Sequence, residues 1–252
     1  MNGLRFVTIF IICVVTLSVN CFAQGKVSRP AQQPTHTSIP KKSSPKMSVS
    51  EPDGYINGHG YVDLGLPSGT MWATCNIGAL SPYDFGNYYA WEESMPKSNY
   101  DWSNCFDCLD NIGDIEGKFN IYTIDGKIKI TPSSSHDTAK ENWGGTWRMS
   151  IIEEIEELIE NCKWETSRKD GPKGCKGTGP NGKSIFLPAA GFRNGTGFND
   201  DNRLGHYWSN TLSQSNSMSA SYLYFRIDGI KNGIAEWLGQ RRFGKSVRPV
   251  TE

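Results

Sequence analysis

Two stretches of the chain carry the spacing of a phosphate-binding loop, Gly-x4-Gly-Lys-Ser. They are Gly177 to Ser184, GTGPNGKS, and Gly239 to Ser246, GQRRFGKS. The first also satisfies Gly-x-Gly-x-x-Gly. Such loops hold phosphate because a strand leads in and successive backbone amides converge at the N-terminus of a following helix. Here both segments run on into proline-containing, β-type sequence, IFLP and VRP, and Pro180 interrupts the first. Without the helix the chemistry lapses, so both read as hairpin turns, with Asn181-Gly182 as the turn signal of the first. No nucleotide partner is expected.

The remaining reactive residue types are sparse. His59, His136 and His206 stand alone, with neither HxxxH nor HxH spacing, which gives no basis for a histidine zinc site. Cys105-x-x-Cys108 lacks a second pair at zinc-ribbon spacing. Asn199, Asp200, Asp201 and Asn202 put four oxygen donors on one loop, making Asp200 and Asp201 the calcium candidates. The twelve-residue calcium-loop pattern is absent, and Asn and Asp are turn formers, so a polar turn is the preferred reading and no cofactor is expected. Glu153, Glu154, Glu156, Glu157 and Glu160 crowd one segment at helical spacing and read as a solvated helix face rather than a catalytic pair.

The elements that must position these residues begin with an export signal. Arg5, the apolar run Phe6 to Val19 and the small residues Cys21 and Ala23 have the layout of a secretory signal peptide, residues 1–23, with cleavage after Ala23. A spanning helix needs about 20 apolar residues, so the run is short for a membrane anchor, and no transmembrane segment is expected in the mature chain. A lipoprotein cysteine at Cys21 is disfavoured by Asn20 directly before it. Residues 24–53 hold Pro30, Pro34, Pro40, Pro45 and Pro52 among Ser, Thr, Lys and Gln. They cannot bury enough surface to offset their ordering entropy and read as a disordered tether.

Residues 54–252 then read as a single domain. The chain has 26 basic and 26 acidic residues, and this balance offers no electrostatic footprint for nucleic acid. Tyr61 to Leu66 alternates like a half-buried strand, and the turn Pro67-Ser68-Gly69 leads into a second strand, Met71 to Ile77. Phe119 to Ile124, Ser184 to Arg193, Tyr207 to Ser209, Ser221 to Ile227, Gly233 to Trp237 and Ser246 to Val250 are further strand candidates. One helix is clear, Ile151 to Asn161, with Ile152, Ile155, Leu158 and Ile159 on one face and Ser150 with Glu153 as its capping box. The fold class expected is α+β, with short twisted antiparallel strands and long irregular loops.

Cys75, Cys105, Cys108, Cys162 and Cys175 remain after cleavage. In an exported chain disulfides are the default. The expected pair is Cys75–Cys162, tying the early hairpin to the last turn of the helix. Cys105 and Cys108 pair with each other, or one of them reaches Cys175.

Taken together, WATCNIGA (72–79), FGNYYAW (85–91), NWGGTWRM (142–149), NGKSIFLPAAG (181–191), YWS (207–209) and SVRPV (246–250) resemble one exported bacterial family, the Fibrobacter succinogenes major paralogous domain. The resemblance runs from about Tyr55 to Val250. It implies a C-type-lectin-like fold, similar to formylglycine-generating enzyme domains, in which the first and last strands pair and Tyr61–Leu66 lies near Ser246–Val250. It also implies cysteines at Cys75 and Cys162. The chain departs from the pattern at Ser150-Ile151, where Pro-Thr is expected, at Ile155 for Trp, and at Glu92 for Gly. No cysteine follows Leu187, which weighs against formylglycine-type oxidation.

The functional expectation is a surface-displayed or secreted binding module for an extracellular glycan or protein. Its candidate ligand-binding residues are Arg193, Asn199, Asp200, Asp201, Asn202, His206, Tyr207 and Trp208, with core packing at least an equal reading of Trp208. The alternatives are an extracellular hydrolase or oxidase using Asp200, Asp201, His206 or a free cysteine, and a ligand-free envelope component. Convergence of these side chains in one cleft distinguishes the enzyme from the rest.

Overall fold

Asn57 and Gly58 take left-handed backbone angles, φ 48° and 80°, and fold the chain into its first hairpin. That hairpin joins β1 (Gly54–Ile56) to β2 (His59–Asp63), and β2 continues into β3 (Met71–Ala73). The computed structural model describes residues 47–105, 119–124, 127–132, 136–167, 172–213, 215–216, 218–227 and 234–252; for 119–132 and 234–237 only the backbone is described. These residues lie in one compact unit, Ser43–Glu252. Cys108 and the export signal fall outside the described residues.

From there the elements run β4 (Phe119–Ile124), β5 (Lys127–Pro132), α1 (Thr138–Trp143), β6 (Arg148–Met149), α2 (Ile152–Asn161), β7 (Lys163–Ser167), β8 (Gly174–Thr178) and β9 (Ser184–Pro188). Two short strands, β10 (Phe192–Asn194) and β11 (Gly197–Asn199), precede the meander β12 (Leu204–Leu212), β13 (Ser219–Arg226) and β14 (Ile234–Gln240). The last strand, β15 (Pro249–Thr251), returns to the first sheet. The described strands pair antiparallel, with one isolated parallel bridge between Tyr207 and Ser246, and helices are few, as the α+β reading requires. Among the described residues no helix is long and apolar enough to cross a membrane.

The principal sheet has the order β1-β2-β3-β15-β6. Val250 stands opposite both Trp72 and Arg148. The terminal pairing expected from the resemblance is therefore displaced by one strand: β15 lies on Met71–Ala73, with Tyr61–Leu66 one strand further out. The expected strand Met71–Ile77 stops at Ala73, because the backbone bends at Thr74 and Cys75.

Helix α2 starts one residue later than expected. Its cap is Ile151 rather than Ser150, and Glu154 Oε2 accepts the Ile151 N–H at 2.9 Å. An isoleucine cannot accept in return, so Thr211 Oγ1 takes the Ile152 N–H at 3.1 Å. The five glutamates do not all stay on the wet face. Glu154 is buried and clamps Arg148 through both carboxylate oxygens, 2.6 and 2.8 Å, while Glu157 accepts from the Ser68 hydroxyl and amide.

Below α2, Ile155, Leu158, Val62, Leu187, Phe225 and Val250 form one apolar core. A second, aromatic core gathers Tyr89, Trp91, Trp147 and Trp208. Buried polar groups tie the layers together. Asp137 caps α1 by accepting from Ala139 and Lys140, and it also accepts from Met149 N and Asn210 Nδ2. The Arg248 guanidinium, fully buried, donates to Asn76 Oδ1 and to the carbonyls of Ala73, Thr74 and Phe186, all within 3.0 Å.

The expected Cys75–Cys162 disulfide is not formed. Cys75, Cys162 and Cys175 are free thiols. Cys162 and Cys175 face the core under α2, whereas Cys75 lines a surface groove beside β2, so the two expected partners serve different layers. Cys175 is likewise no partner of the Cys105–Cys108 segment; Cys105 itself is disulfide-bonded.

Candidate functional site

Residues 48–52, the end of the expected tether, do not leave the domain. The Ser50 hydroxyl accepts the Ser184 amide at 2.9 Å, Asp53 pairs with Lys183, and Met47 O accepts from the Tyr83 hydroxyl at 2.7 Å. Gly60 makes this approach feasible: a Cβ there would stand 3.0 Å from both Pro52 and Thr74 Oγ1. Between this strip and the loop Ala79–Tyr83 lies a groove of 690 Å³.

Aromatic faces line it. His59, opening β2, stacks on Trp143 with ring centroids 3.8 Å apart and planes 5° from parallel. Trp143 ends α1, where Gly144 and Gly145 take φ of 63° and 59° and turn the chain away. Asn57 Nδ2 donates to Trp143 O at 2.9 Å, which locks the helix end under the hairpin turn. Tyr55 is 68% exposed and Leu80 98% exposed at the rim. Burial holds the His59 pKa below the usual imidazole value. Thr74 and Cys75 supply a hydroxyl and a thiol to the same groove.

The loop expected to carry function is built differently. Asp200 and Asn202 adopt left-handed angles, φ 57° and 60°, as turn residues do. Asn202 N donates to Ala189 O and Leu204 N to Asp200 O, closing the turn on itself. Asp200 pairs with Arg203 at 3.5 Å and Asp201 accepts from Asn202 Nδ2 at 3.0 Å. Asn199 ends β11, paired with Phe192. Arg193 lays its guanidinium over Phe198 and Tyr88, 4.4 and 5.3 Å from the ring centres. No group of three or more His, Cys, Asp or Glu able to hold a metal occurs among the described residues.

His206, Tyr207 and Trp208, expected at the surface, are buried on β12. Tyr207 donates to Pro188 O at 2.6 Å and Trp208 Nε1 to Tyr89 O at 2.9 Å, so both polar tips are satisfied internally. The reason is that β12 is the first strand of a meander covered on both faces, a setting that a three-residue motif does not reveal. His206 packs against Phe192, Tyr222 and Tyr224 with ring centroids 4.9 to 5.3 Å apart. Asp200 and Asp201 face outward while His206 points into the core, so the proposed catalytic set does not converge.

Beside His206 lies a feature the sequence reading passed over. Lys245, from the second Gly-x4-Gly-Lys-Ser match, is 2% exposed. Its Nζ sits over four rings, 4.0 Å from Tyr222, 4.7 from Trp208, 5.1 from Phe192 and 5.3 from Phe243. No carboxylate pairs with it among the described residues. Burial pushes its pKa down to about 7, and burial together with the Lys245 charge pushes His206 down to about 2. The first Gly-x4-Gly-Lys-Ser match is the β8–β9 hairpin turn, with Gly182 at φ 85° and Gly179 N donating to Lys183 O, in keeping with the turn reading.

The groove went unread because its walls come from residues 48–60, 74–83 and 143. The Asn57-Gly58 turn was its one legible signal. No protein-family model matches the chain, and neither a curated protein nor a solved structure shows significant similarity to it.

Proposed function

We propose that the chain is an exported or surface-displayed binding module with a C-type-lectin-like arrangement of the major paralogous domain type, whose ligand, an extracellular glycan or protein segment, seats in the groove between Ser48 and Tyr83. The observation that carries this reading is the open groove of 690 Å³ with aromatic faces presented at Tyr55 and at the His59–Trp143 stack. Flat rings beside hydroxyls such as Ser48 and Thr74 suit ligands with alternating apolar and hydroxylated faces. Export rests on the N-terminal apolar run. The groove replaces the Arg193–Trp208 set as the candidate site, because that set is divided between turn, surface and core. Titration of the mature chain against arrays of glycans and extracellular proteins, with and without calcium, tests the reading. Binding that falls at least about tenfold in Tyr55→Ala, or about 1.4 kcal/mol, is expected. Absence of binding in either condition, or affinity unchanged in that variant, refutes it.

A further inference from the structure

The groove is lined by hydroxyls, apolar side chains, a thiol and the rings of Tyr55, His59, Tyr83 and Trp143, and Glu51 is its one lining residue with a full charge. Glu51 lies on the 48–52 strip, is exposed, and has no hydrogen bond or ion pair among the described residues. Burial disfavours the charged form of His59. Three cations on neighbouring elements are engaged elsewhere. Lys183 pairs with Asp53, and Lys140 donates to Gly145 O just past Trp143. Arg248, beneath the groove floor, spends its donors on Asn76 and on the carbonyls of Ala73, Thr74 and Phe186. The rings act in the same direction as the free carboxylate. An aromatic face is the negative end of a quadrupole and attracts a cation held over it. The His59–Trp143 stack, with planes 5° apart, and the exposed Tyr55 ring supply such faces. A concave site with ring walls and a carboxylate as its only formal charge receives a cation and repels an anion.

We propose that the groove selects glycans that carry free amino groups: the ammonium of an amino sugar pairs with Glu51 while the apolar face of a sugar ring lies on an aromatic wall. This rests on the binding reading above and deepens it, because it makes charge on the sugar the discriminating feature. A neutral hexose keeps the stacking and forgoes the ion pair. A uronic or sulfated sugar meets the like charge of Glu51 with no free cation in the lining to receive it. N-acetylation leaves the sugar ring in place and removes its positive charge, which makes it the most direct contrast. A lysine side chain brings the same ammonium without the flat, hydroxylated ring that suits these walls, so a sugar is favoured over a basic peptide.

Calorimetric titration of the mature chain with a glucosamine pentamer and with its fully N-acetylated counterpart, at a pH where the free amines are protonated, tests the proposal. The glucosamine pentamer is expected to bind at least about tenfold more tightly. In Glu51→Gln that preference is expected to fall below about threefold, and in wild type it should narrow as sodium chloride rises from about 50 to 500 mM. Glu51 is exposed and unpaired, so the variant is expected to fold as wild type, which circular dichroism checks. Tyr55→Ala is expected to weaken the glucosamine pentamer, which locates its binding in the groove rather than on the glutamates of α2. Equal or tighter binding of the acetylated pentamer, or a preference that Glu51→Gln leaves intact, overturns the proposal. So does a lysine pentapeptide that binds as tightly as the glucosamine pentamer and is weakened equally by Tyr55→Ala. If neither pentamer binds while another array ligand does so in a Tyr55-dependent way, the amino-sugar assignment falls and the binding reading stands.

Discussion

Lys245 is the sharpest energetic anomaly in the fold. Replacing it with methionine keeps an unbranched chain of similar length among Tyr222, Trp208, Phe192 and Phe243 and removes the ammonium. In the folded protein its pKa is pushed from 10.5 to about 7 by burial. At about 1.36 kcal/mol per pH unit that fall corresponds to about 4–5 kcal/mol of folding free energy below neutral pH. The sign follows from linkage. Between pH 7 and 10.5 the unfolded chain holds the Lys245 proton and the folded chain has released it, so wild-type stability rises with pH across that window. Lys245→Met is therefore expected to be more stable than wild type by about 4 kcal/mol at pH 7, with the advantage shrinking towards zero near pH 10.5. Urea unfolding followed by tryptophan emission at pH 7, 8, 9 and 10 measures it. A stability difference that stays constant over this range, or a variant less stable than wild type at pH 7, would refute the reasoning.

Asp137→Ala removes the acceptor of the α1 cap and of the Met149 amide and Asn210 amide bonds at once. Leaving several buried donors unpaired is expected to lower stability by about 3 kcal/mol or more in the same unfolding assay, against about 1 kcal/mol for an ordinary exposed cap. Glu92→Gly tests two opposed effects. Glu92 holds φ at 69°, in the region glycine favours. Relief of that strain gains about 1 kcal/mol. The same change strips the buried partner from Arg241, whose guanidinium also lies 4.9 Å over the Trp91 ring, and breaking a buried pair costs about 3–5 kcal/mol. The pair should win, so the variant is expected to unfold at lower urea; a gain in stability would show that the strain dominates.

The regular parts of the fold were legible because local signals and burial agree there. Ser184–Pro188 is a buried strand led in by Asn181-Gly182, and α2 follows its apolar stripe to within one residue. The α2 cap was misassigned because its partner is not local: Thr211 completes it from β12. Tyr207 and Trp208 follow a polar loop in the sequence, yet eight consecutive residues of β12, Gly205 to Leu212, are buried. Lys245 and Arg248 show a different limit. Charged residues are ordinarily solvated, and no periodicity marks one that is enclosed by rings or by carbonyls from distant strands. The groove has the same origin, since its walls are close in space through the β1–β2 turn, the end of α1 and the 48–52 strip.

The position of β15 has a consequence for how the molecule is made. The principal sheet is not complete until Pro249–Thr251 enters between β3 and β6, strands that lie far earlier in the sequence, Met71–Ala73 and Arg148–Met149. During synthesis β3 and β6 therefore wait as two open edges, and Arg248 cannot yet bridge Ala73, Thr74 and Phe186. A chain in which Pro249–Thr251 cannot enter would keep both edges unpaired, the condition that invites association with another chain. Closure of the sheet thus waits for Pro249–Thr251, in whatever order the earlier strands form.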